Sequence, residues 1–240
     1  MTEEGILKSL NLSKNTWVLR TFPYNKLATQ LNSKQQRICS DGIKTRGIRL
    51  LATISPLNTN IPKFEDEHVR FEEIHLFQIQ VTSWKYCKDI YKIFAEIIPY
   101  PLLILFSHED KYQWIIATHQ KQENSFLLKI DKIYQSNIDL PIDMYLKRLV
   151  FQNMNTVDLK SYYDTCIKQI VDTELQEKYQ LKTSHEHNED LLEKLNQLEK
   201  EIFQLVNQAK KEKQMNKRIA LQVEANKRKQ QKKKLIEPEV

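Results

Sequence analysis

Ile74-His75-Leu76-Phe77-Gln78-Ile79-Gln80-Val81, then the segment from Asp89 to Ile98, then Leu102-Leu103-Ile104-Leu105-Phe106, form the stretch that decides the fold. From Phe77 onward the first run alternates apolar with polar, the period of a half-buried strand. In the second, Ile90, Ile93, Phe94 and Ile97 recur at i, i+3, i+4 and i+7, one face of an amphipathic helix that Pro99 ends. The third is short and wholly apolar, as a buried strand is. Tyr112 to Thr118 then returns as a strand after the polar turn Ser107-His108-Glu109-Asp110. Working upstream, Ile48 to Ile54 reads as a strand closed by Ser55-Pro56, Gly42 to Gly47 as a turn, and Leu19 to Leu31 as a first helix after the turn around Thr21-Phe22-Pro23. The order helix, strand, strand, helix, strand, strand predicts an α+β body, a small sheet with packed helices.

Working downstream, the character changes. Six of the seven prolines precede residue 142 and the seventh is Pro238, so residues 142 to 237 hold neither Pro nor Gly and read as long helix. Within them Leu191, Leu195, Leu198, Ile202, Leu205 and Ala209 recur at alternating intervals of four and three, the seam of a coiled coil. The same register passes through Glu212 and Asn216 before regaining Ile219 and Val223, so the seam weakens toward its end. Unbroken, Asp190 to Gln230 would be a rod of about 60 Å. The expected organisation is an α+β body over 1–145, a helical connector over 146–189, and a coiled-coil helix with a basic tail over 190–234.

That tail dominates the charge. Of the 28 residues from Asn207 to Lys234, eleven are cationic: Lys210, Lys211, Lys213, Lys217, Arg218, Lys227, Arg228, Lys229, Lys232, Lys233 and Lys234. Only Glu212 and Glu224 oppose them, so the stretch carries +9 where the whole chain carries +6, and the remainder sums to −3. Mutual repulsion at that density costs stability unless an anionic surface offsets it. Nucleic acid is the expected surface, DNA first, with an acidic protein next. With no aromatic residue from Gln204 onward, the expected contact is to phosphates and carries no sequence preference.

Composition excludes several classes of enzyme. The three glycines, Gly5, Gly42 and Gly47, build no Walker A loop, dinucleotide fingerprint or nucleophile elbow. Cys39, Cys87 and Cys166 are widely spaced and odd in number, which fits neither a disulfide framework nor a paired metal ligand set, and they read as buried small hydrophobes in a reducing compartment. His185 and His187 flank Glu186, but i and i+2 on a helix point about 200° apart and share no ion. No secretory signal is read at the start, and the longest apolar run, Ile97 to Phe106, is half of the ~20 residues a membrane helix needs. The expectation is a soluble cytoplasmic protein with no cofactor, no metal and no membrane contact.

One catalytic arrangement needs weighing. Glu65, Asp66, Glu67, Glu72 and Glu73 precede a strand that is followed by a helix and another strand, a succession resembling the core of restriction-type nucleases. Such sites hold magnesium with one acid and an acid-x-Lys on the next strand. Here that second element would be Gln78-Ile79-Gln80 followed by Val81-Thr82, which lacks both the charged oxygen and the lysine. No catalytic residue is assigned.

Several landmarks together resemble a bacterial family classed only as a domain of unknown function: Leu10-Asn11-Leu12-Ser13, the run from Phe22 to Leu27, the run from Ile54 to Pro62, the strand from Glu72 to Val81, Ile98-Pro99 leading into Leu102 to Phe106, and the tail from Glu212 to Asn226. Its members are encoded beside a restriction-type helicase and a DNA methyltransferase in defence-like loci. Members often end the second strand with a lysine, where this chain has Val81-Thr82. The resemblance implies a non-enzymatic accessory subunit partnered by the helicase or the methyltransferase. Homo-oligomerisation through the seam is a further possibility. The alternative of different class is a degenerate restriction-nuclease-like enzyme.

Overall fold

The structure, a computed structural model, describes residues 1–122, 128–181 and 188–237. In chain order its elements are α1 (Glu3–Ser9), β1 (Trp17–Thr21), α2 (Tyr24–Ala28), α3 (Ser33–Gly42), β2 (Ile43–Ile54), α4 (Pro56–Thr59), β3 (Phe64–Glu65), β4 (Arg70–Phe71), β5 (Ile74–Val81), α5 (Cys87–Ile97), β6 (Leu102–His108), β7 (Lys111–Lys121), β8 (Leu128–Gln135), α6 (Ile142–Arg148), α7 (Leu159–Tyr179), α8 (Asn188–Lys211) and α9 (Met215–Ile236). The chain divides into two compact units, 1–173 and 174–240.

The first unit is built on a six-stranded sheet of order β1-β2-β5-β6-β7-β8, with β3 and β4 forming a separate small ribbon. All neighbours are antiparallel except β5 and β6, which run parallel because α5 carries the chain back between them. The apolar stripe of α5 explains its seat: Ile90, Ile93 and Phe94 join Phe77, Ile79, Ile104, Phe106 and Ile115 in one core under α5 and α3. The alternate residues of the same strands face the other way. Arg49, Gln78, Leu105 and Trp114 form one row across β2, β5, β6 and β7 there, with Arg49 reaching Glu3 of α1 at 2.7 Å.

The region before β2 departs from the sequence reading. Leu19 to Leu31 is not one helix: Trp17–Thr21 pairs with β2 as an edge strand, and Pro23 starts the short α2. A separate α3 follows because Asn32 and Gln35 form a capping box, each side chain accepting from the other's backbone N–H. Nor is Gly42 to Gly47 a turn. The α3 helix ends at Gly42 and β2 begins at once, with a bulge in which Lys44 to Gly47 stand against Gln80 alone, between the pairs Ile43↔Val81 and Ile48↔Ile79. Arg46 takes a left-handed φ of 57° there. Gly47 is required for space, since a Cβ would lie 2.7 Å from the Lys44 carbonyl oxygen and 2.9 Å from that of Gln80.

Residues 142 to 237 are also not continuous helix. Side chains stop and start it without Gly or Pro: the Asp158 carboxylate accepts from the Ser161 N–H at the start of α7. At the other end of α7, Gln180 adopts φ 57° while the Leu181 N–H closes onto the Leu175 carbonyl, a Schellman-type stop.

Burial of polar groups makes the body sensitive to acid. His119 of β7 is buried beside Tyr163 of α7, and that burial lowers its pKa from the usual 6.5 to about 4, so it is neutral in the fold. An unfolded histidine takes up a proton below ~6.5. Stability is therefore complete above that value and is lost as pH falls toward 4, by on the order of 3 kcal/mol for this group alone. Titrating the melting temperature from pH 7 to pH 4 will show the decline, and His119→Phe, which leaves no imidazole to protonate, will flatten part of it. An unchanged profile in that variant would refute the assignment.

Candidate nucleic-acid interface

The second unit holds the basic stretch, and its geometry starts at residues 212 to 214. The chain leaves α8 at Lys211, the Glu212 carboxylate accepts from the Gln214 N–H at 2.8 Å, and α9 starts at Met215. The two helices pack as an antiparallel hairpin, shown by the pairing of Glu199 with Lys232 at 2.7 Å and of Glu201 with Arg228 at 3.0 Å. The single 60 Å rod is thus corrected to two helices folded on each other. The polar Glu212 and Asn216 that weaken the heptad pattern mark the turn and the first residues of α9.

Each seam residue can be placed. Leu195, Leu198 and Ala209 are buried, Leu191, Ile202 and Leu205 are half-buried, and Leu192 is more deeply buried than Leu191. The α8 stripe faces α9, whose buried residue is Ala225. Within the chain this stripe packs against α9, a segment whose weak apolar periodicity hides its role. Left outside are Phe203, Met215, Ile219 and Val223, between 48% and 69% exposed.

The eleven cations separate into groups. Arg228 and Lys232 are half-buried and bound to acids, Arg228 to Glu201 and Glu224, Lys232 to Glu199. Lys233 lies 3.6 Å from Glu237 and is exposed. The remaining eight, Lys210, Lys211, Lys213, Lys217, Arg218, Lys227, Lys229 and Lys234, are exposed and make no ion pair among the described residues. Counting acids along the chain misses Glu199 and Glu201, which reach α9 only through the fold.

Glu199 is the electrostatic centre of the hairpin. Lys178 and Lys232 approach its two oxygens at 2.6 and 2.7 Å, and both ammonium groups lie over the Tyr179 ring, at 4.8 and 5.2 Å from its centroid. Partial burial disfavours the carboxylate, but the hydrogen bonds and charges of the two lysines outweigh it and hold the pKa below the usual glutamate value. The same burial, with Glu199 beside it, raises the Tyr179 phenol. Because the folded pKa of Glu199 is depressed, its stabilisation is complete above ~4.3 and is lost as pH falls through the lower folded value. Glu199→Gln will abolish that acid-limb dependence of hairpin helicity and lower stability at neutral pH, since two cations then share a neutral amide. Circular dichroism against pH checks this, and an unaltered acid limb would count against it.

The acids weighed for metal binding serve the local fold. Glu65 pairs with Lys121 at 2.9 Å, Asp66 accepts from the His68 and Val69 N–H groups at 2.7 Å, and Glu73 pairs with His75 at 3.0 Å. Side-chain hydrogen bonding to Lys121 lowers the Glu65 pKa, and the backbone donors lower that of Asp66. Across from Gln78 on β2 stands Arg49, a cation where a metal site needs a carboxylate. Among the described residues no group of three His, Cys, Asp or Glu could hold a metal ion, and no helix is long and apolar enough to cross a membrane. His185, Glu186 and His187 lie outside the described residues. The three thiols are buried, and burial raises their pKa values, to about 11 for Cys39 and about 12 for Cys87 and Cys166, so they remain protonated.

An α+β body with a parallel β5–α5–β6 step, continued by a basic helical hairpin, defines a two-unit protein whose most strongly charged surface is helical. The chain belongs to the DUF4391 family, a domain of unknown function whose model matches residues 10–231. The match spans both the sheet and the hairpin. No curated protein and no solved structure matches the chain.

Proposed function

We propose that the protein is a non-enzymatic accessory subunit that holds DNA through the cations of the α8–α9 hairpin and acts beside a helicase or a DNA methyltransferase in a bacterial restriction or anti-phage defence complex. The observation that carries the DNA contact is the set of eight exposed cations without an acidic partner among the described residues. Phosphate oxygens are the chemistry that such a surface meets without base-specific geometry. The class of protein partner rests on the resemblance stated above, and the exposed Phe203, Met215 and Ile219 support a protein contact on the same hairpin.

A non-catalytic body is supported by Arg49 facing Gln78, by acids committed to turns and ion pairs, and by protonated thiols. The second reading, a nuclease-like enzyme, draws on the β5–α5–β6 step alone. Incubation of the intact protein with magnesium or manganese and duplex or single-stranded DNA separates the two: the DNA is retarded on a gel and remains whole. Cleavage that Asp66→Ala or Glu73→Ala abolishes would overturn the proposal in favour of the enzyme.

A further inference from the structure

The β2 bulge also belongs to a concave surface of the first unit. Together with the corner between β1 and α2 it walls a recess of about 670 Å³, within the ~300–1000 Å³ range of small-molecule sites. None of the residues lining it is acidic. Lys44 and Arg46 stand exposed on the bulge, with the hydroxyls of Thr45 and Ser40 beside them in the lining. Asp41, the acid nearest to the bulge in sequence, is paired with Arg37. The floor is apolar, from Cys39, Ile43 and Ile48.

The aromatic wall is fixed. The Tyr24 hydroxyl donates to the Gln36 carbonyl at 3.2 Å, which anchors the half-buried ring between α2 and α3. Phe22, also in the lining, is turned edge-on against Phe77 in the core. Arg46 is held in a left-handed conformation that a bulky residue adopts at a cost, and Gly47 permits the tight closure beneath it. Bulges of this kind re-aim side chains beside binding sites.

We propose that this recess binds a nucleoside phosphate, with the phosphate on Lys44 and Arg46 and the base against Tyr24. Arginine offers a planar fork of donors to phosphate and lysine a mobile point charge, while a fixed aromatic ring accepts any base by stacking. The same chemistry is carried by a free nucleotide and by the 5′-phosphorylated end of a nucleic-acid strand. All of its lining residues belong to the first unit, so the titrations with AMP, adenosine and phosphate test it independently of the function proposed above.

Calorimetric titration of the full chain with AMP, adenosine, inorganic phosphate, and a tetranucleotide with and without its 5′-phosphate tests the assignment. AMP will bind saturably at one site, with adenosine and phosphate each about tenfold weaker or more. Arg46→Asn, which removes the charge but tolerates the left-handed backbone, and Tyr24→Leu will each weaken AMP about tenfold. A Lys211→Gln, Lys213→Gln hairpin variant will bind AMP as the parent does. Tighter binding of the 5′-phosphorylated tetranucleotide than of both AMP and the unphosphorylated strand would identify a strand end as the source, and the reverse order a free nucleotide. Absence of saturable binding by both AMP and the phosphorylated strand, or affinities unchanged in Arg46→Asn and Tyr24→Leu, would overturn the proposal.

Discussion

Leu195→Ala will destabilise the hairpin by about 2 to 5 kcal/mol, the cost of emptying a buried leucine site that cannot fully collapse. Leu195 is the least exposed residue of the α8 stripe, at 0%, and lies on the face that α9 covers. Antiparallel helices of this length owe most of their stability to such burial, because isolated helices are marginal in water. Far-ultraviolet circular dichroism on heating will show early loss of helical signal, while near-ultraviolet signal from Trp114, buried in the first unit, persists to the parent's temperature. The pair Leu198→Glu, Leu205→Glu will act in the same direction and more strongly. If the mutants melt as the parent does, the hairpin is not held by this stripe.

The second large effect is on DNA affinity. If about five of the eight exposed cations reach phosphates at once, the logarithm of the association constant will fall with the logarithm of salt concentration with a slope near −4 to −5. The quadruple variant Lys210→Gln, Lys211→Gln, Lys213→Gln, Lys217→Gln removes cations around the turn without touching an ion pair of the hairpin. It will reduce the slope by up to about 3.6 if all four contact phosphate. Fluorescence anisotropy on a short duplex at several salt concentrations reads both. A parent slope near zero would remove the hairpin from the DNA-binding reading. Truncation after Ala209 is a poorer test, because it strips α9 from the α8 stripe and exposes Leu195 and Leu198.

The position of the cations in the hairpin also bears on partner choice. Arg228 and Lys232 are spent on Glu201 and Glu199, so their substitution will loosen the helix pair before it affects any ligand. Binding losses from those two residues therefore need a stability control. The eight exposed cations that make no ion pair among the described residues allow a cleaner separation of charge from fold.

The sequence by itself determined the alternating run at Phe77, the amphipathic α5 and the apolar β6, because in each a strong local period coincides with the face that the core buries. It also determined the heptad spacing of α8 and the excess of positive charge near the end. The capping box at Asn32 and Gln35, which starts α3, escapes the sequence reading because the helix behind it carries little apolar periodicity. What only the tertiary structure decided depends on residues distant in sequence. Trp17–Thr21 becomes a strand because β2 offers it an edge, and Lys44 to Gly47 bulge because β5 supplies only Gln80 opposite them. The polar break at Glu212 becomes a turn because folding back lets α9 cover the α8 stripe and brings Lys232 and Arg228 to Glu199 and Glu201, a gain in burial and charge pairing that no local pattern of α9 announces.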